Sequence, residues 1–154
     1  MAASSLSLLS FSAPFRKKKL ENTVYITLNV DTGQITNKDV GQYCHFTGQP
    51  EGTSAEDFTV DVNQGDTIVW QGVSTNAPTT DIVHINSIHH HHGKNAFDQE
   101  DISGDDQNSH KISRKALHST EGQEAYKYTL SFTVFNNGVR RKGTFHIDPK
   151  IQVH

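Results

Sequence analysis

From Thr23 onward the chain repeats one pattern: short runs in which apolar and polar residues alternate, each closed by a turn signal. Successive side chains of a strand point to opposite faces, so period two specifies half-buried strands. Almost nothing in the chain has the period and length of a helix. Val24, Ile26, Leu28 and Val30 alternate with Tyr25, Thr27 and Asn29 until Asp31-Thr32-Gly33 stops the run. Phe58, Val60 and Val62 alternate with Thr59 and Asp61 and lead into the turn Asn63-Gln64-Gly65-Asp66. Thr67-Ile68-Val69-Trp70 follows, and residues 81–88 add a further run with Ile82, Val83, Ile85 and Ile88 as its apolar members.

The C-terminal hairpin is the sharpest local signal. Asn137-Gly138 suits a type I′ turn, because both residues tolerate positive φ. Centred on that pair, the alternation sets Leu130 opposite Phe145 and Tyr128 opposite Ile147. It also sets Ser131 opposite Thr144, Thr129 opposite His146, and Phe132 beside Gly143. Apolar pairs then share one face and polar pairs the other, which is how a register is specified.

Many short strands with one apolar face each predict an all-β, antiparallel two-sheet Greek-key sandwich of the cupredoxin-like or immunoglobulin-like kind. Only 33% of the 154 residues are hydrophobic, and adding the 11 glycines still leaves the apolar share below the roughly 45–50% of ordinary globular chains. A thin core with long polar loops is expected. Residues 23–154 read as a single sandwich domain with a long His-rich and acidic loop at about 89–124, and residues 1–22 as an N-terminal arm. Phe97, Ile102 and Ile112 are the residues able to pin that loop to the sandwich.

The segment from Phe58 to Trp70, with its Gly65-Asp66 turn before a strand ending in an aromatic residue, resembles the strand-turn-strand of cupredoxin-like Greek-key domains. Tyr126-Lys127-Tyr128, ahead of the closing run to Asp148-Pro149-Lys150-Ile151, is similar to small proteins of that family. The resemblance implies a fold and not an activity. A blue-copper site needs two histidines and a cysteine, usually with a weak axial methionine. Here Asn136-Asn137-Gly138 occupies the comparable hairpin, Cys44 lies far upstream and the only methionine is Met1, so type 1 copper is rejected.

With one cysteine there is no intramolecular disulfide, no Cys-rich zinc module and no CxxC pair, and Tyr43-Cys44-His45-Phe46 reads as the setting of a buried thiol. Nucleophile-elbow, HExxH, P-loop and GxGxxG patterns are absent, so no catalytic residue is selected and a non-enzymatic role is expected. No apolar run approaches the roughly 18–20 residues that span a bilayer, which predicts a soluble domain. The acidic residues Asp98, Glu100, Asp101, Asp105 and Asp106 lack the spacing of a calcium loop.

Charge divides the chain. Arg16, Lys17, Lys18 and Lys19 precede the first acid, Glu21, and removing them from the formal net charge of -3 leaves ten basic against seventeen acidic residues in the body. An acidic body of this kind is a poor nucleic-acid binder. The arm is Ser-rich, and its charges follow the apolar segment, the reverse of a secretory signal; its composition is compatible with an organelle transit peptide. Its pattern offers a third reading. Leu6 and Leu8, then Leu9, Phe11, Ala13 and Phe15, alternate with small residues about a register break at Leu8-Leu9. Such an extended segment can complete a sheet edge in its own chain or a neighbour's, and a disordered tail is the plainer alternative. The basic cluster would have its counterpart in the acidic stretch.

Histidine is the other outlier, with ten in the chain. His84, His89, His90, His91 and His92 place five imidazoles within nine positions, a candidate chelator of Zn, Cu(II) or Ni. Gly93-Lys94-Asn95 suggests that the run lies in a loop. His146 reads as a surface residue on the face of Thr129 and Thr144, while His45, His110, His118 and His154 show no carboxylate partner at a recognisable spacing. The leading expectation is a structural or self-associating subunit, a homo-oligomer joined through Leu6, Leu8, Leu9, Phe11, Phe15 and Arg16, Lys17, Lys18 and Lys19. Metal binding at the histidines, without redox chemistry, is the alternative. If the run faced its copies across an interface, assemblies would loosen toward pH 5.

Overall fold

The structure, a computed structural model, describes residues 21–104 and 109–154. Among them are eleven strands and one 3-10 turn at Val40–Gln42. β1 (Thr23–Val30), β2 (Cys44–Phe46), β4 (Thr67–Ser74) and β7 (Ile112–Lys115) form one sheet in the order β2-β1-β4-β7. The second sheet runs β3 (Thr59–Val62), β11 (Lys150–Val153), β8 (Tyr126–Asn136), β5 (Ile82–His92) and β6 (Asp101–Ser103). β9 (Val139–Arg140) and β10 (Phe145–Ile147) also pair with β8. This is the all-β, two-sheet sandwich that the alternation predicts. No helix among the described residues is long and apolar enough to cross a membrane.

The inner faces follow the pattern residue by residue. Ile26, Leu28 and Val30 of β1, Ile68 and Trp70 of β4, and Val83, Ile85 and Ile88 of β5 join Tyr126, Tyr128, Leu130 and Phe132 of β8 in one buried cluster. Each large apolar side chain fully buried there contributes about 1.5–3 kcal/mol. Trp70 lies edge-on to Phe97 and Tyr128, and its indole N–H donates to the Tyr128 hydroxyl at 3.1 Å. That bond spares the core an unpaired buried donor, which would cost about 1–3 kcal/mol. A Cβ on Gly72 would overlap the Val83 side chain, so glycine is what lets β4 approach β5 across the sandwich.

Phe97, Ile102 and Ile112 are all buried, as expected of the loop's anchors. Cys44 is buried too; its thiol donates to the Val40 carbonyl at 3.0 Å, and burial pushes its pKa up to about 12.

Strand direction, register and loop extent each differ from expectation. The sheets are mixed: β1 runs parallel to β4 from Thr23↔Thr67 to Val30↔Ser74, and β11 runs parallel to β3 from Lys150↔Thr59 to Val153↔Val62. Period two tells which face a residue occupies and carries nothing about the direction of the neighbouring strand. The hairpin turn falls at Asn137 and Gly138, both at positive φ, and Asn136 pairs with Val139. Beyond Arg140 the register slips by two residues. Phe132 pairs with Phe145, Ser131 with His146 and Leu130 with Ile147, where alternation alone had put Leu130 against Phe145. Residues 141–144 bulge out, with Gly143 at φ 93 and the Arg141 N–H donating to the Val134 carbonyl. A slip of two conserves every face, so the pattern could not reveal it.

His89, His90, His91 and His92 are not in a loop; they complete β5. β5 pairs with β8 along the run, at His89, His90 and His92, and with β6 up to His89, with the His90 N–H also donating to the Glu100 carbonyl. The loop expected at about 89–124 starts at Gly93 and is broken by β6 and β7. Gly93 has φ +85, and a Cβ there would collide with the Ala125 carbonyl oxygen, so the chain turns at this point only because the residue is glycine. Leu6, Leu8, Leu9, Phe11, Phe15, Arg16, Lys17, Lys18 and Lys19 lie outside the described residues, as do Asp105 and Asp106.

Candidate functional site

Two histidine groups occupy opposite ends of β5. At the C-terminal end the strand alternates His89 outward and His90 inward, and a bulge between His90 and His92 inserts His91. His89 Nδ1 meets Asp101 Oδ1 at 2.6 Å across the β5–β6 pair. His90 stacks on the Tyr126 ring, with centroids 5.3 Å apart and planes 3° from parallel. Its Nε2 donates to the Gly93 carbonyl at 2.8 Å, and its Nδ1 lies 3.3 Å from Glu100. His92 Nε2 is 3.5 Å from Glu124, and the His91 and His92 Nδ1 atoms are 3.2 Å apart. The run is therefore a zipper of imidazoles and carboxylates with one ring built into the core face. The Tyr126 hydroxyl beneath it is buried, has no hydrogen-bond partner, and is held above its usual pKa chiefly by burial, with Glu100 and Asp101 adding to the shift.

At the other end, His84 sits opposite Thr133 of β8 and meets His110, which comes from the connection before β7. The two Nδ1 atoms are 2.7 Å apart and the rings are nearly perpendicular, at 86°. One Nδ1–H donates to the other ring's lone pair. The contact is clamped by backbone, since the Ile85 N–H donates to the His110 carbonyl at 3.1 Å and His110 holds a left-handed φ of 59°. Both rings are half-buried. Burial, reinforced by the neighbouring imidazole, lowers the His84 pKa and favours its neutral form.

The five candidate metal ligands thus divide. His84 lies five residues before the run, up to about 16 Å from His89 at roughly 3.3 Å per strand residue, and its partner is His110, a residue the spacing did not single out. No group of three or more His, Cys, Asp or Glu arranged to hold an ion occurs among the described residues. The acidic stretch faces imidazoles: Asp101 and Glu100 hold His89 and His90, and Asp98 meets His118 at 2.8 Å. His154, which showed no partner in sequence, lies between Glu121 and Asp61, each at 2.9 Å. The Glu121 contact, then the Asp61 contact, raises its pKa. His146 is exposed and bonded to Ser131 at 2.9 Å.

A polar knot beside the His84 end was also missed in sequence. Asp81 accepts from the Thr32 hydroxyl at 2.6 Å, from the Asn136 side chain at 2.9 Å and from the Asn137 N–H at 3.0 Å. The Thr32 bond is the largest of the contacts that lower the Asp81 pKa. Arg141 donates to the Thr32 and Ile35 carbonyls at 2.8 and 2.7 Å, so the closing hairpin is bound to the 31–36 turn. An open cavity of about 290 Å³ lies between Asp81, Gly72, Val83 and His110.

Both sheets end in short strands: β2 and β7 in one, β3 and β6 in the other, each of three or four residues. The row Thr23↔Thr67↔Lys115 crosses the first sheet where the chain enters it, and Glu21 pairs with Lys115 at 3.5 Å. Residue 21 thus emerges one strand away from β7, the terminal strand of this sheet among the described residues. On the outer face above it, Tyr25 is 59% exposed beside Val69 of β4.

No protein-family model matches the chain, and no curated protein matches it in sequence. Among solved structures it is similar to a crystal structure described as an inclusion body protein, PixA, from Burkholderia cenocepacia J2315. The TM-score is 0.59 at 12% identity, with 90% of this chain and 98% of the other covered, a likeness that shows a shared fold over nearly the whole of both chains.

Proposed function

We propose that this chain is a non-catalytic structural subunit, a cupredoxin-like sandwich that associates with copies of itself through its N-terminal arm. The observation that carries the reading is the inclusion body protein of the same fold, matched over 98% of its length. A protein body made of packed copies requires a self-complementary surface. Open sheet edges are one such surface, because their unpaired N–H and C=O groups accept a further strand.

The arm suits that role. It supplies an apolar alternation through Leu9, Phe11 and Phe15, and twenty residues can extend to at most about 66–72 Å, enough to reach a neighbouring molecule. Residue 21, where the described fold begins, lies one strand from β7, which ends its sheet among the described residues, so the arm is within reach of that edge in its own chain or in a copy. The first contacts of the body at this point are polar: Asn22 donates to Asp66 at 3.1 Å and accepts from the Thr67 N–H at 2.9 Å.

Light scattering on a chain lacking residues 1–19 tests the reading. The truncated protein should remain folded and form a smaller species than the full chain. An unchanged mass would sink the role of the arm.

A further inference from the structure

We propose that His84 and His110 form a divalent transition-metal site of this protein, and that His89, His90, His91 and His92 do not. The inference stands apart from the structural-subunit reading and rests on how each group of rings is held.

Two imidazole nitrogens bound to one ion at about 2.0–2.1 Å, in a square or tetrahedral arrangement, lie about 2.9–3.3 Å apart. The His84 and His110 Nδ1 atoms face each other at 2.7 Å, so an opening of a few tenths of an ångström, with a turn of the rings that swings both lone pairs off the N···N line to a common point, seats an ion. The rings come from residues 26 positions apart and are fixed by half-burial and by the Ile85 N–H bond to the His110 carbonyl. Little side-chain entropy is then lost on binding. The ring that donates its Nδ1 proton in the empty pair moves that proton to Nε2, and both Nδ1 lone pairs then point at the ion. A cavity of about 290 Å³ borders the His110 side of the pair. A purely imidazole donor pair favours Cu(II) over Ni(II) and Zn(II). It has no thiolate, since Cys44 is buried in β2.

The run at the other end of β5 is richer in imidazoles and poorer in available ones. His89, His90 and His92 already face Asp101, Glu100 and Glu124, and His90 is stacked on Tyr126. His91 and His92 approach with a suitable 3.2 Å separation, yet both are exposed and each must be ordered before it can chelate.

The test starts from the full chain carrying His89→Ala, His91→Ala and His92→Ala, which leaves the stacked His90 in place. Calorimetry with Cu(II) should show one ion per chain, and its electron paramagnetic resonance spectrum should report two imidazole nitrogens. Adding His110→Asn keeps a residue that accepts a left-handed φ. It should weaken binding by at least the roughly 10–100-fold that changes in a metal's outer shell already cost, and should remove one nitrogen from the spectrum. Circular dichroism checks that the fold is retained, and the nitrogen count in the first variant reads the site without altering it. Loss of binding in the triple variant, or an unchanged affinity after His110→Asn, overturns the proposal.

Discussion

His84 and His90 belong to the same strand, both are half-buried, and their surroundings act on them differently. His90 lies flat on Tyr126 and is held by the Gly93 carbonyl and Glu100, so its neighbours are acceptors. His84 meets another imidazole across a backbone clamp, and burial keeps it neutral. The chemistry of a histidine is therefore set by what the opposing element supplies. Carboxylates turn one end of β5 into a structural zipper, whereas a second imidazole makes the other end a ring-to-ring hydrogen bond between two nitrogens able to ligate an ion.

The zipper end depends first on Gly93, and replacing it gives the largest expected effect. Gly93→Ala forces a Cβ into the Ala125 carbonyl at a φ of +85, which should cost about 1–3 kcal/mol and displace the carbonyl that His90 uses. Urea unfolding measures the loss. The His84–His110 distance should be untouched, so Cu(II) affinity should persist in the folded fraction of this variant. His90→Ala removes a ring stacked at 5.3 Å and two hydrogen bonds, the one to exposed Glu100 long at 3.3 Å, and should destabilise by about 1–2 kcal/mol in the same assay. A loss as small as that of an exposed histidine would show that the stack contributes nothing.

How much of this contrast was legible in sequence follows from what each residue's position depends on. Faces were legible: Ile26, Leu28, Trp70 and Leu130 are buried because period two is a local property of the chain. The Asn137-Gly138 turn was legible because positive φ selects its residues. The two-residue slip beyond Arg140 was not, since it conserves every face, and the parallel pairing of β1 with β4 was not, since alternation has no direction. The His89 run read as a loop because four polar residues before a glycine carry no apolar alternation. Its strand character comes from β6 and β8 on either side, and β6 lies beyond a turn that only the fold creates. His84 with His110, His118 with Asp98 and His154 with Asp61 are 26, 20 and 93 residues apart. No spacing rule connects them.

Titration sharpens the comparison further, because histidines here shift in both directions. His84 is lowered by burial, so below the ordinary histidine value of 6.5 the unfolded chain binds a proton that the native site resists. Its contribution is present above pH 6.5 and is lost as pH falls from there through its lower folded value. His154 is raised by Glu121 and Asp61, so its contribution is complete below pH 6.5 and is lost as pH rises through its higher folded value. Thermal midpoints between pH 5 and 8, in chelator-treated buffer, should show His84→Asn flattening the acid-side decline and His154→Asn flattening the alkaline-side one. Matching effects from the two variants would mean that the two imidazoles do not differ in the way their partners suggest.

The smallest effect belongs to the outward member of the zipper. His89 lies 2.6 Å from Asp101, yet both side chains are substantially exposed, at 48% and 71%. Water and salt screen such a pair, and holding two side chains together offsets most of the attraction. His89→Ala should therefore change stability by no more than about 0.5 kcal/mol, and Asp101→Asn by a similar amount. A double-mutant cycle at 0.05 and 0.5 M salt, both roughly spanning the range in which the screening length shortens severalfold, measures the coupling. A coupling that exceeded the His90→Ala loss and survived high salt would make the carboxylates, and not the stack on Tyr126, the element that holds this end of β5 in strand form. A negligible coupling would leave the inward ring, stacked on Tyr126, as the side-chain contact that adds to the backbone pairing of this end of β5.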